Sequence, residues 1–184
     1  PFLGIYGYAF TLVYKRFGIK VMGFFLFLVT TMPQLSNYTV EIRMYALALF
    51  LITAAFLHGY ELVWIGREES EKKEDAHIKW RRFHWIAFWI YGVVTAYTQY
   101  YACIAIVAVY IALFIFFISQ KYKRQLVSLL VCAGFSVAVY LPWIPSFIRQ
   151  VMAVSSNYWI QSLTFRSIFG CIKHVFLPVS YAVK

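Results

Sequence analysis

MYALALFLITAAFLHGYELVWI, residues 44–65, is the stretch that decides the fold. It is a continuous apolar run broken only near its end, by His58 and Glu61. A helix rises about 1.5 Å per residue, so about 20 apolar residues cross the roughly 30 Å hydrocarbon core of a bilayer, and this run is long enough to do so. The rest of the chain has the same character. Of its 184 residues, 62% are hydrophobic, 21% aromatic and only 13% charged, and the mean hydropathy is +0.70. A water-soluble domain carries about 45–50% apolar and about 25% charged residues, so this composition belongs to the membrane class.

Outward from that run, towards the N-terminus, residues 21–38 predict another span, with Pro33 near its far end predicting a bend. Residues 15–20 read as a basic turn. Residues 2–14 are apolar but too short to cross, and are expected to be the end of a helix that starts earlier in a longer protein. No basic region followed by a cleavage site precedes them, so no signal peptide is read.

On the other side, residues 66–82 are the one water-compatible stretch, with acidic and basic residues in near balance, the pattern of a solvated loop. Residues 83–98 and 101–119 predict two further spans, separated by Gln99-Tyr100. Residues 121–124 form a second basic turn, and residues 126–144 the last clear span. Pro142 and Pro145 are expected to end or kink it, with Trp143 at the interface. Beyond Arg149, Phe165, Ile168, Phe169, Ile172, Val175 and Phe176 recur at helical spacing, with Thr164 as N-cap, predicting an amphipathic helix that lies in the interface. The expected fold is all-α. It is a polytopic bundle of about five to six spans over residues 1–148, part of a larger membrane domain, followed by an exterior-side segment, 149–184.

The net charge of +10 would suit a nucleic-acid partner if the cations shared one soluble face. They lie instead in short turns between apolar runs, the topological signal of a membrane protein, and nucleic acid is excluded as a partner. Cys103, Cys132 and Cys171 form no C-x-x-C pair, and His58, His77, His84 and His174 show no ligand spacing. No metal held by side chains is predicted.

Threading the spans alternately puts the turns 15–20 and 121–124 and the loop 66–82 on one side, with most of the Lys and Arg. By the positive-inside rule that side is the cytoplasm of a multi-pass plasma-membrane protein. Three polar or aromatic interruptions then face outward: Glu41 and Arg43 with their neighbours, Tyr97-Thr98-Gln99-Tyr100-Tyr101, and the stretch from Leu141 to Arg149. Arg43 offers a planar cation with five donors, suited to phosphate. Glu41 and Tyr45 share a helix face at i and i+4. Tyr38, Tyr45, Tyr97, Tyr100 and Tyr101 combine an apolar ring with a polar tip, as a lipid-tailed amphiphile would need. A plain aromatic belt with a structural ion pair would use the same residues, and the residues alone leave both open.

Glu41-Ile42-Arg43-Met44-Tyr45-Ala46-Leu47 resembles the E-A-R-M-Y-A/S-L motif of bacterial membrane glycosyltransferases of the family 39, protein-mannosyltransferase-like type, in the GT-C superfamily. Tyr97-Thr98-Gln99-Tyr100-Tyr101 resembles their Y-T-H-Y-F element. Leu141-Pro142-Trp143-Ile144-Pro145, with Arg149-Gln150 and Tyr158-Trp159-Ile160, resembles their L-P-W-L-P…R-Q and F-W-I. Each motif is weak alone; their order and spacing agree from about Phe17 onward.

The resemblance implies a hexosyl transfer from a polyprenyl-phosphate-linked donor to an acceptor at the outer membrane face. It implies substrate-binding roles for Glu41, Arg43, Tyr45, Gln99, Tyr100 and Arg149, with Arg43 and Arg149 near the carrier phosphate. The lipid-linked sugar donor and membrane lipids are the implied partners, and the part of a divalent metal stays open. Two departures stand out. Gln99 occupies a position where the family has His, and the family's acidic catalytic residue falls upstream of the matched motifs, so no catalytic residue is assigned and a fragment without it would be inactive. The alternative is a non-enzymatic polytopic protein, such as a lipid-linked glycan transporter or an assembly subunit. Transporters are often built from inverted repeats, and none is visible in this sequence.

Overall fold

The computed structural model describes residues 1–32, 44–70 and 78–155. Every element among them is helical: α1 (Phe2–Tyr8), a π-helical turn (Ala9–Val13), α2 (Tyr14–Thr31), α3 (Tyr45–Ser70), α4 (Ile78–Thr98), α5 (Tyr100–Ser119), α6 (Lys123–Tyr140), a 3-10 turn (Leu141–Trp143) and α7 (Ile144–Ser155). Among the described residues, three helical stretches are long and apolar enough to cross a membrane: Tyr45–Ser70, Tyr100–Ser119 and Lys123–Gln150. They suggest a multi-pass membrane protein. The predicted interfacial helix around Thr164 lies outside the described residues.

The stretch from which the sequence was read, now α3, is the central helix. Its apolar window is 56% buried, against 6% for Lys123–Gln150. Small residues make this possible, because between lipid-embedded helices close van der Waals approach replaces the hydrophobic drive available in water. Ala46, Ala48, Ala54, Ala55, Gly59 and Gly66 are all buried on α3. A Cβ at Gly59 would lie 3.1 Å from Leu113 of α5, and one at Gly66 2.9 Å from the Tyr122 ring. Around this helix a core forms from Leu62, Trp85, Phe88, Ile106, Leu113, Phe117 and Leu129.

Contacts between side chains give the directions of the helices. Phe50 meets Tyr91, His58 meets His84, and Glu69 pairs with Arg81, so α3 and α4 are antiparallel. Gln99, extended at φ −161°, is the whole link between α4 and α5. Between α5 and α6 the chain turns through a Schellman motif, with Tyr122 N–H donating to Phe117 and Lys121 N–H to Ile118. Lys121 takes the left-handed position at φ 57°, and the Tyr122 ring packs on Phe117, 6.4 Å between centroids.

The N-terminal helices run beside α3 in the same direction. A Cβ at Gly4 would overlap the Phe50 ring, Tyr8 reaches His58, and Arg16 reaches Glu61. The expected basic turn at 15–20 is instead helical up to a sharp break at Gly18, φ 76° and ψ −179°. Lys15 and Arg16 stay in the helix because their side chains are held from it, over Trp80 and Trp64. The following apolar arm is described as far as Met32, whose extended backbone is the conformation favoured before a proline. At the far end, α6 closes at Tyr140, just before Pro142, and gives way to the 3-10 turn, as the two prolines predicted, with no gap before α7. Pro142 sits in the first turn of the 3-10 segment, where its missing N–H costs nothing, and α7 continues from there.

The described helix ends therefore gather in two places. The start of α3, the end of α4, the start of α5 and the α6–α7 junction form an aromatic end. The Arg16 region, the end of α3, the start of α4 and the start of α6 form a basic end.

Candidate functional site

At the aromatic end, Tyr97 near the close of α4 donates its hydroxyl to the Val139 carbonyl at 2.6 Å. Its ring packs on Tyr140 (5.3 Å between centroids) and Trp143 (6.0 Å). One turn on, Tyr100 packs edge-on against Phe147 of α7 at 5.1 Å. The two sequence segments predicted to converge, 97–101 and 141–149, thus touch directly. Gln99 is half-buried between the helices it joins, and Tyr45, also half-buried, opens α3 at the same end. Arg149 is exposed on α7, its Nε 3.4 Å from the Pro145 carbonyl. Glu41 and Arg43, which carry most of the sequence-based reading, lie outside the described residues.

Beneath this cluster, between α4, α5 and α6, lies an apolar cavity of about 420 Å³ whose wall includes Gly92, Ala96, Cys103, Tyr110, Ser136 and Tyr140. Gly92 and Ala96 leave the space, and Tyr140 links it to the aromatic cluster above. Its polar feature is the pair Tyr110 Oη and Ser136 Oγ, 3.2 Å apart, with Ser136 also donating to the Cys132 carbonyl at 2.8 Å. Hydroxyl- and ring-bearing side chains over an apolar hollow suit a molecule with a polar head and a hydrocarbon tail.

The basic end is built differently. Glu61, 1% exposed, receives both Nε (2.6 Å) and Nη2 (2.5 Å) of Arg16 in a two-pronged pair. These hydrogen bonds hold the Arg16 guanidinium above its ordinary pKa, against the opposing effect of desolvation. The same guanidinium lies 4.9 Å over the Trp64 ring. One turn earlier on α3, His58 Nδ1 is 2.8 Å from His84 Nδ1, and His58 Nε2 is 3.0 Å from the Tyr8 hydroxyl, which donates to Tyr91 at 3.0 Å. Further out, Glu69 accepts from Arg81 and, at 3.1 Å, from Gln125 Nε2, while Gln125 Oε1 accepts from Trp85 Nε1 at 3.2 Å. Among the described residues no group of three or more His, Cys, Asp or Glu could hold a metal ion.

Sequence reasoning passed over this buried network. Arg16 and Glu61, and His58 and His84, are far apart in the chain, and only tertiary packing joins them. One signal was present: His58 and Glu61, at i and i+3, are ionisable groups inside an apolar span, and such groups mark a site by default.

Searches of protein-family models, curated proteins and solved structures give no match for this chain.

Proposed function

We propose that the chain is part of a GT-C membrane glycosyltransferase of the protein-mannosyltransferase-like type. In this reading it transfers a sugar from a polyprenyl-phosphate donor to an acceptor at the outer face. The observation that carries the proposal is the direct contact of segments 97–101 and 141–149 at the end where α3 begins, just after the Glu41/Arg43 motif. Those are three of the places where the sequence resembles the family. The basic end is cytoplasmic by the positive-inside rule, which turns the aromatic end outward. The full protein then has further spans, residues 21–38 and 83–98 among them, and an interfacial helix over about residues 164–176.

In such a transfer the bond from the anomeric carbon to the carrier phosphate breaks as the acceptor oxygen attacks. Negative charge builds on the departing phosphate. Arg43 and Arg149 are the groups to stabilise it, by charge-assisted hydrogen bonds in a site of low dielectric. Glu41, Tyr45, Gln99 and Tyr100 shape the donor pocket. The hydrocarbon of the carrier is compatible with the apolar cavity below. The acceptor's general base is assigned to no residue of this chain.

The test is transfer of labelled sugar from polyprenyl-phosphate donors by the full-length gene product in membranes. Arg43→Ala is expected to abolish transfer with expression and folding intact, and Glu41→Gln to reduce it. A folded wild type that transfers nothing from any such donor, and binds none, would sink the proposal. A second reading, a transporter of lipid-linked glycans, then gains. It is favoured by the Tyr8–His58–His84 and Arg16–Glu61 groups, whose histidines and carboxylate are buried, since ionisable chains inside helix bundles serve coupled transport.

A further inference from the structure

Two buried histidines and two half-buried tyrosines from α1, α3 and α4 form one hydrogen-bonded chain, and the direction of its Tyr8–Tyr91 bond sets where the other protons lie. Tyr8 gives its only hydroxyl hydrogen to Tyr91. The 3.0 Å contact between Tyr8 Oη and His58 Nε2 therefore needs the hydrogen on His58. A neutral His58 is then bare at Nδ1, so the 2.8 Å Nδ1–Nδ1 contact needs its hydrogen on His84. A neutral His84 with that hydrogen is bare at Nε2. This atom is buried and meets no hydrogen-bond partner among the described residues, on a residue that is 0% exposed.

We infer that the His58–His84 pair is a proton-binding site that takes up one proton, at His84 Nε2. The step is a simple acid–base one: the Nε2 lone pair forms an N–H bond with a proton released by hydronium on acidification, which leaves as water, and nothing is oxidised. None of the three existing hydrogen bonds has to break. His84 keeps donating from Nδ1 to His58, and that bond becomes charge-assisted and stronger. The capacity is one proton, because a second, on His58 Nδ1, would set two donors face to face at 2.8 Å.

The charged and titratable groups around the pair come from every element packed against it. They are Tyr8 on α1, Lys15 and Arg16 on α2, Glu61 on α3 and Tyr91 on α4. Glu61 already accepts from Arg16 with both oxygens. Lys15 sits 5.2 Å over the Trp80 ring, which itself meets His84 edge-on at 5.0 Å. With the carboxylate taken and two cations close by, uptake adds net positive charge to the α1–α3–α4 core. Proton loading of this kind is a known use of ionisable residues within membrane helices. The inference stands whether or not the glycosyltransferase reading does.

Nitrogen-15 NMR of histidine-labelled full chain in lipid nanodiscs tests it. In the neutral state His84 is expected to show the Nδ1–H tautomer, with Nε2 unprotonated, and His58 the reverse. On acidification His84 is expected to gain one proton while the His58–His84 bond persists, and that uptake should vanish in His84→Gln. An Nε2–H tautomer for neutral His84, a His84 that stays neutral at every pH at which the protein is folded, or an unchanged titration in His84→Gln would each overturn the inference. If His84→Gln does not fold, His84→Asn takes its place, and the wild-type tautomer measurement decides on its own.

Discussion

At the basic end, α2, α3, α4 and α6 are joined by directional, charged bonds: Arg16 to Glu61, Arg81 to Glu69, and Gln125 to both Glu69 and Trp85. At the aromatic end, α4, α5, α6 and α7 meet through ring contacts and one hydroxyl-to-carbonyl bond, from Tyr97 to Val139. Removing one partner from a buried charged pair strands the other, whereas loosening a ring contact loses only part of its dispersion energy. The contrast assigns the two ends different work. The first fixes the relative positions of the helices, and the second is held less tightly, as the donor pocket of the proposed function requires.

Substitutions can break or sharpen that contrast. Glu61→Ala leaves the Arg16 guanidinium without its carboxylate and should destabilise by about 3–5 kcal/mol, read as a fall in Tm in nanodiscs. The double replacement Arg16→Met with Glu61→Leu should recover most of that loss; if it does not, the pair does more than hold helices together. Gln125→Leu strands Trp85 Nε1 and one Glu69 bond and should cost about 1–3 kcal/mol. Tyr97→Phe should cost about 0.5–1.5 kcal/mol, since Val139 is partly exposed and its carbonyl can find another donor. Arg149→Ala should leave Tm unchanged and, if the proposed function holds, lower sugar transfer by the full-length protein about tenfold. A large Tm loss for Tyr97→Phe, or none for Glu61→Ala, would remove the distinction between the ends.

Much of the fold was legible because hydropathy and charge act locally. The run 44–65, the short link at Gln99-Tyr100, which the structure narrows to Gln99, and the turn near Lys121 all follow from which residues tolerate lipid. Alternate threading also brought 97–101 and 141–149 to one end. The prolines were legible as well: α6 ends at Tyr140, and Pro142 and Pro145 sit in the first turns of the segments that follow, where helices accept them. Lys15 and Arg16 misled, since basic residues signal a turn only when nothing in the bundle holds them. For the site, the sequence singled out rim charges at Glu41 and Arg43 and passed over Glu61, more deeply placed. Its partner comes from a distant helix, and no spacing rule links positions 16 and 61.

Gly18 has a consequence for heredity. Its φ of 76° with ψ of −179° is a conformation essentially confined to glycine, although a Cβ there would meet nothing within 4 Å. Every missense change reachable from a glycine codon by one base installs a residue with a Cβ. Gly18 should therefore tolerate no missense variant despite its open surroundings, while Gly7 and Gly23, equally open but with ordinary backbone angles, should drift freely.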